Sequence, residues 1–389
     1  VKRRPRIGIL ANTIDTEYGL RTGGHLHFIE SAKRMTDWDV VVFVPSYAAR
    51  EIAPLIPSAR IVAFPTARRF TESKLPLFAA SLVTWVTKIG ELRACDVLYA
   101  SSHFLGDTIP ATLLRGRRSV VVIHHILDSP FQRPGGLLQN LIAYATERLS
   151  LWLIRFRAGT LAFDNSLLAK ELGARRFLNA KIVSGNAVEV PAANGEMIRE
   201  HDVVFVGRLS PTKGVDDLLR AWRRIVDAVP DAHLHVIGEG TRAYEAQLRG
   251  IVRDLAIDAS VSFLGRASDA VKFERLRSSG IFAFPSKEEG WGIALAEAMA
   301  CGLPCVTYEL PPYAEVFPQG RVSVAVGDVE GFARSVIALL RDSVARRELA
   351  SSAAELGRHF TWDRVAKIEC EAIAALLSDG EVGTNRRAR

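Results

Sequence analysis

Short, solid runs of Val, Ile, Leu and Phe alternate with helix-length patterns along almost the whole chain, and this alternation restricts the fold more than any other feature. Uninterrupted apolar runs suit strands buried on both faces, as in parallel sheets covered by helices. The first series predicts strands at Arg6–Asn12, Val40–Val44, Ile61–Phe64, Val97–Ser101, Ser119–Ile123, Thr160–Phe163 and Lys181–Val183. Helical patterns lie between them at Gly24–Arg34, Leu77–Ile89, Leu137–Phe156 and Ser166–Leu172. The pattern lapses over Pro191–Glu200, where PAANGEMIRE reads as a linker. A second series follows, with strands at Val203–Gly207, His233–Ile237, Val261–Leu264, Ile281–Pro285, Pro304–Tyr308 and Val322–Val326. Its helices are expected at Asp216–Ala228, Arg242–Leu255, Ala267–Ser278, Gly292–Ala300 and Val329–Arg341. A last helical pattern, Trp362–Ser378, trails away from this series, and the polar, basic 379–389 reads as a disordered tail. The expectation is an α/β chain of two doubly wound, Rossmann-like domains, 1–190 and 200–360. Such a pair implies a cleft between them, with ligands at the carboxyl ends of the strands.

The 389 residues give room for two to three domains, each with its own core. A hydrophobic share of 48% with 24% charged residues is ordinary for a soluble globular protein. No stretch reaches the ~20 uninterrupted apolar residues of a membrane span. The basic VKRRPR leads straight into IGILAN, a strand pattern rather than a signal-peptide core, so a cytoplasmic location is expected. Cys95, Cys301, Cys305 and Cys370 form neither metal spacing nor a disulfide framework, and are expected to be small buried hydrophobes. A net charge of +7 is consistent with anionic partners, although part of it sits in the KRRPR and RRAR ends. No basic patch interleaved with aromatic residues accompanies it, so nucleic acid is not an expected partner.

The densest chemistry lies in Phe284–Val306, FPSKEEGWGIALAEAMACGLPCV. A strand end leads through Glu288, Glu289 and a Gly-Trp-Gly corner into a short helix that stops at Gly302-Leu303-Pro304. Glu289 and Glu297 are thereby aimed, with a helix N-terminus, at one spot. A helix N-terminus attracts phosphate. Carboxylates repel it, so these two are expected to accept hydrogen bonds from hydroxyls beside it. A ligand with hydroxyls on both sides of a diphosphate, a nucleotide sugar, fits.

Other strand ends add to this. After VVFVG, which closes on Gly207, come Arg208 and then Lys213, two cations on one loop before a helix whose first turn holds Asp216 and Asp217. Such cations can hold a diphosphate and neutralise charge on a leaving group. Gly23-Gly24-His25 precedes an apolar helix, and paired glycines let backbone N–H groups approach a phosphate or sugar closely. His124 and His125 follow SVVVI; a strand-end histidine can hydrogen-bond a sugar hydroxyl, and His124, the first past the strand, is preferred. Gly238-Glu239-Gly240 forms a tight turn after HLHVI, with backbone N–H groups expected on the same rim as Lys213.

VGRLSPTKG, VIGEG, the E-x7-E segment SKEEGWGIALAEAMACGLP and the closing FTWDRVAKI together resemble glycosyltransferase family 4, of the group 1 type, on the GT-B fold. The resemblance spans the second domain closely and the first more loosely, through GGH, the strand-end histidine and SGNAVEV. It implies that Arg208 and Lys213 bind the donor diphosphate, Glu289 contacts the donor sugar, and Glu297 holds the ribose hydroxyls. It assigns the phosphates to backbone amides around Trp291–Ile293, within the corner Gly290, Trp291, Gly292 and Ile293. The Gly23-Gly24 loop would approach the donor and His124 the transferred sugar, while helix 362–378 would cross back to the first domain.

The resemblance further implies a retaining transfer of a hexose from a UDP- or GDP-linked donor to a hydroxyl of a glycan, lipid-linked or small-molecule acceptor. It implies no metal or other cofactor, and front-face attack rather than a glycosidase-like carboxylate pair. The alternative is a sugar-nucleotide-binding GT-B protein of another class, epimerase- or phosphorylase-like, or a non-catalytic subunit. Three positions depart from the family pattern: Trp291 where phenylalanine is common, Ala187 for a glycine, and YELPPYAEVF for a glycine pair. Leu75–Ile89 and Leu137–Arg157 are strongly apolar with aromatics and flanking cations. Either core helices or peripheral contact with an anionic membrane at its inner face accounts for them.

Overall fold

Every apolar run named above contributes a strand in the computed structural model. The structure describes residues 3–12, 14, 23–65, 81–124, 126, 137–177, 179–192, 195 and 197–385. The strands of the first series are β1 Arg6–Leu10, β2 Asp39–Pro45, β3 Arg60–Phe64, β4 Val97–Ala100, β5 Ser119–Ile123, β6 Thr160–Phe163 and β7 Ala180–Val183. Those of the second are β8 Arg199–Val206, β9 His233–Ile237, β10 Val261–Gly265, β11 Ser279–Phe284, β12 Cys305–Tyr308 and β13 Arg321–Val324. They form two parallel sheets, ordered β3-β2-β1-β4-β5-β6-β7 and β10-β9-β8-β11-β12-β13. In each, the order reverses once, between β1 and β4 and between β8 and β11. Those reversals are where ligands collect in such sheets.

The chain divides into two units, Val1–Asn186 with Trp362–Arg389, and Ala187–Thr361. The division falls after Asn186, ahead of the expected linker, and β8 takes the last two residues of PAANGEMIRE. Trp362–Asn385 is one helix of the first unit. It buries Trp362, Val365, Ala366, Glu369 and Ile373 on one stripe, four apolar residues and a carboxylate. It runs past Ser378, so 379–385 is helix rather than tail, and 386–389 lies outside the described residues.

Among the described helices that escape the sequence patterns are the short Ser46–Ile52 and Pro311–Val316 and two longer ones. Leu105–Leu114 carries Gly106 and Pro110, both breaker signals, yet buries seven of its residues. Ser343–Gly357 follows Val329–Arg341 after a single residue, Asp342, whose carboxylate caps it through Val344 and Ala345 N–H at 3.0 Å each. The pattern at Leu77–Ile89 is replaced, where described, by a 3₁₀ turn at Thr84–Lys88 and a short helix at Ile89–Arg93. Cys95 and Cys305 are buried, but Cys301 and Cys370 are half-buried. Among the described residues no helix is long and apolar enough to cross a membrane.

Candidate functional site

In the second unit, the loops after β8 and β11 meet at the order reversal. Gly214 sits at φ +67° and caps the helix Val215–Ala228. A Cβ there would lie 2.0 Å from the Pro285 carbonyl oxygen, so only glycine lets the two loops touch. Lys287 N–H donates to Thr212 O at 2.7 Å and seals the contact. Lys213 is thereby delivered to the E-x7-E segment. Its Nζ donates to Glu289 Oε1 at 2.6 Å and to Glu288 O at 3.1 Å, and Ser286 Oγ donates to the same carboxylate at 3.0 Å. Arg208 is exposed on the β8 side of this arrangement.

The helix Ile293–Ala300 starts from Gly292 at φ +107°, where a Cβ would press on Tyr313 and Phe317. Its first backbone bond runs from Ala296 N–H to Gly292 O at 3.0 Å, which leaves its first-turn amides without an intrahelical acceptor. Trp291 turns its ring inward, edge-on to Phe317 and Phe360 with centroids 5.5 and 5.2 Å away. That ring belongs to the core, so any part Trp291 plays in holding a ligand falls to its backbone. One turn into the helix, Glu297 pairs with Lys272 at 2.6 Å. Burial raises the Glu297 carboxyl above its ordinary range, and Lys272 partly opposes the shift.

The Gly238-Glu239-Gly240 turn needs correction. A Cβ on Gly238 would lie 1.8 Å from Gly207 O, and one on Gly240 2.2 Å from Leu209 O, so the glycines permit close approach of two loops. Gly238 N–H donates to Gly265 O at 2.9 Å, and Gly240 N–H to Glu245 Oε1 at 2.8 Å. Gly207 N–H bonds Ile237 O at 3.0 Å. These amides are consumed within the protein, and Glu239 pairs with Arg266 at 3.3 Å. The turn shapes the rim.

A second cluster lies in the first unit. His124 and Asp164 follow the paired residues Ile123 and Phe163 of β5 and β6, and His124 Nδ1 lies 2.9 Å from Asp164 Oδ2. His27, from the helix Gly23–Arg34, sets its ring 5.4 Å from that of His124. His27 Nε2 lies 2.7 Å from Glu369 Oε1, and its Nδ1 3.9 Å from Asp164 Oδ1. Ser31 Oγ and the Tyr99 hydroxyl donate to Glu369 at 2.9 and 3.1 Å. Burial disfavours the His27 imidazolium, but Glu369, with help from Asp164, outweighs it and raises the His27 pKa. Burial likewise opposes the Glu369 carboxylate, yet His27, Ser31 and Tyr99 hold it below its ordinary range. His27, His124 and Asp164 offer ligand atoms within 4.8 Å of one another, the reach of a metal ion.

Gly23 and Gly24 open the helix itself rather than preceding it, while most of the loop before them (13 and 15–22), like His125, lies outside the described residues. Sequence reasoning missed His27, Lys272 and Glu369. Glu369 was visible: it stands on the apolar stripe of its helix pattern, where a carboxylate needs a partner. His27 and Lys272 carried no local signal.

Residues 190–356 match the family described as glycosyl transferases group 1. The chain is 35% identical over 168 residues to the phosphatidyl-myo-inositol mannosyltransferase of Mycobacterium leprae, covering 42% of this chain and 44% of that protein. The alignment thus spans less than half of that relative's length. A longer alignment, 24% identical over 300 residues, joins it to the N-acetyl-alpha-D-glucosaminyl L-malate synthase of Bacillus anthracis, covering 75% of this chain and 77% of that one. The fold is that of Anabaena HepE, solved in complex with UDP and glucose, with a TM-score of 0.73 at 18% identity over 95% of this chain and all of that chain.

Proposed function

We propose that the chain, whose residues 190–356 match the group 1 glycosyl transferases, transfers a hexose, with retained configuration, from a nucleoside diphosphate sugar to an acceptor hydroxyl. The observation that carries this reading is the Lys213–Glu289 pair, held beside a helix N-terminus where the sheet order reverses. Lys213 and Arg208 bind the diphosphate and stabilise charge as it leaves. Amides of the Trp291–Ile293 corner complete that cradle. Glu289 accepts from a hydroxyl of the donor sugar and Glu297 from the ribose. In the reaction the acceptor oxygen bonds to the anomeric carbon as the bond to the β-phosphate oxygen breaks. The acceptor proton passes to that departing oxygen. No metal has a role in this scheme.

The names of the two relatives, one acting on phosphatidyl-myo-inositol and one on malate, support both lipid-linked and small-molecule acceptors. A lipid-linked or glycan acceptor is favoured by the helix Leu137–Arg157, whose Leu138, Leu141, Leu149, Trp152 and Phe156 are exposed along one stripe. Arg148, Arg155 and Arg157 accompany that stripe, the arrangement of a helix that rests on an anionic membrane surface. A thermal-shift panel of UDP- and GDP-linked hexoses tests the donor reading. Occupancy at 100 times Kd adds about 2.7 kcal/mol. Absence of stabilisation by every nucleotide sugar overturns it, and epimerised donor without released nucleoside diphosphate points to the epimerase-like alternative.

A further inference from the structure

Beside its exposed apolar stripe, the helix Leu137–Arg157 lines an open cavity of about 220 Å³ within the first unit. Arg148, Leu151, Trp152 and Arg155 supply one wall, at i, i+3, i+4 and i+7 of a single helix face. Arg175 and Phe177 supply the other, from the turn that ends the helix Ser166–Ala174. Phe177 N–H to Leu172 O at 3.1 Å and Arg176 N–H to Gly173 O at 2.9 Å close that turn. Arg176 makes it at φ +61°, where glycine is the usual residue, and Phe177 is buried as a result.

Three guanidiniums thus line one cavity, and their charges are unevenly met. Arg175 pairs with Glu171 at 2.5 Å on the surface, a kind of pair that contributes little and exchanges readily. Arg148 lies 3.6 Å from Glu147 Oε2, but the other oxygen of that carboxylate is engaged by His103 at 2.9 Å. Arg155 has no carboxylate partner among the described residues. Its guanidinium lies over the rings of Phe156 and Phe177, 5.3 and 6.0 Å from their centroids. Aromatic faces orient a guanidinium without neutralising it. The planar fork of Arg155 therefore suits a phosphate, which it can bind through two parallel hydrogen bonds.

The rim selects the kind of phosphate. Trp152 and Phe156 are exposed there, with Leu149 one turn before. A soluble phosphate gains nothing from apolar side chains, whereas an amphiphilic anion is matched at both ends. The cavity is also smaller than the roughly 300–1,000 Å³ of pockets that enclose drug-sized ligands, so it suits a headgroup whose acyl chains stay outside. We propose that this cavity binds the phosphate of an anionic phospholipid in a bilayer, with Arg155 as the main contact and Trp152 and Phe156 against the acyl boundary. The proposal rests on the reading of this helix as membrane-facing, and replaces a diffuse attraction between charges by a discrete headgroup site.

The test is co-sedimentation of the full chain with phosphatidylcholine vesicles, with and without phosphatidylglycerol. Arg155→Lys keeps the charge and removes the fork, so it leaves a diffuse attraction intact. Arg157→Lys, on the same helix but outside the cavity lining, is the control. Binding is expected to need phosphatidylglycerol, to weaken by about tenfold or more in Arg155→Lys, and to be unchanged in Arg157→Lys. Arg148→Lys is expected to weaken it too, and serves if Arg155→Lys folds poorly. Absence of binding to phosphatidylglycerol vesicles overturns the proposal. Undiminished binding by both Arg155→Lys and Arg148→Lys also overturns it, since diffuse charge then suffices and only the membrane-facing stripe stands. Release from vesicles by inorganic phosphate, at an ionic strength held constant with chloride, identifies a soluble-anion site and overturns it as well. None of these measurements uses a sugar donor. If no nucleotide sugar is turned over while the arginine dependence holds, the transferase reading fails and the headgroup site stands.

Discussion

Lys213 Nζ lies 2.6 Å from Glu289 Oε1, joining residues 76 apart in sequence. Both side chains are largely buried, at 22% and 14% exposure. The cation assigned to the diphosphate is thus neutralised by the carboxylate assigned to the sugar. A diphosphate arriving beside Lys213 competes with Glu289 for the same charge. Binding and turnover should therefore respond differently to loss of each partner.

Glu289→Ala removes the competing carboxylate and leaves Lys213 uncompensated. Free nucleoside diphosphate is expected to bind at least as tightly as before, while hexose transfer falls by about 10²- to 10³-fold, the usual scale for losing a transition-state contact. Calorimetric titration with UDP and GDP beside steady-state rates checks both halves. Weaker nucleotide binding with unchanged transfer would remove Glu289 from the site.

Gly214→Ala places a Cβ 2.0 Å from Pro285 O and forces an L side chain into φ +67°. The loop must move, and Lys213 moves with it. The expected cost is about 1–3 kcal/mol of stability, with transfer reduced far beyond what that loss of folded protein explains. Activity per folded molecule, with the folded fraction read by denaturant titration, decides this.

Lys272→Ala leaves Glu297 buried without its cation. The Glu297 carboxyl is already raised above its usual value near 4.5. A raised acid favours the folded state fully below its unfolded value, and that stability is lost as pH rises through the folded one. The variant should therefore match the parent near pH 4.5 and fall behind as pH rises, by roughly 1–3 kcal/mol at neutrality. A difference independent of pH would mean that Lys272 acts by packing alone.

Trp152→Ser with Phe156→Ser removes two side chains that are 58% and 60% exposed. Stability is expected to change little, since exposed apolar residues contribute little to the core. Binding to vesicles of phosphatidylcholine with phosphatidylglycerol should weaken by about tenfold or more per side chain, given ~1.5–3 kcal/mol for each buried large apolar group. Equal sedimentation of variant and parent at low salt would leave the stripe unrelated to membranes.

How much of this was legible depends on where each signal resides. Most of the described strands could be read because strands buried on both faces are written as nearly unbroken Val, Ile, Leu and Phe, whereas β3, β7 and β13 at the sheet edges are only partly buried and carry Arg, Lys or Ser. Leu105–Leu114 could not be read, because Gly106 and Pro110 argue locally against a helix that tertiary burial supports. Ser343–Gly357 was hidden because Asp342 alone separates it from the preceding helix, too short a gap for a loop signal. Glu289, Glu297, Arg208 and Lys213 stood out by spacing and strand-end position. Their pairing with one another and with Lys272 did not, since a side chain's partner is set by three-dimensional approach. His27 illustrates the limit: its partner Glu369 lies 342 residues away, and nothing in GGHLHF distinguishes it from a helix-filling residue.

The central claim is that the Lys213 loop serves a departing nucleoside diphosphate. The most direct measurement is release of nucleoside diphosphate from a panel of UDP- and GDP-linked hexoses, with water or an added acceptor, by the parent chain and by Lys213→Ala. The account predicts release from at least one donor by the parent, reduced by about 10²-fold or more in the variant although it remains folded. Release that is undiminished in Lys213→Ala would contradict it.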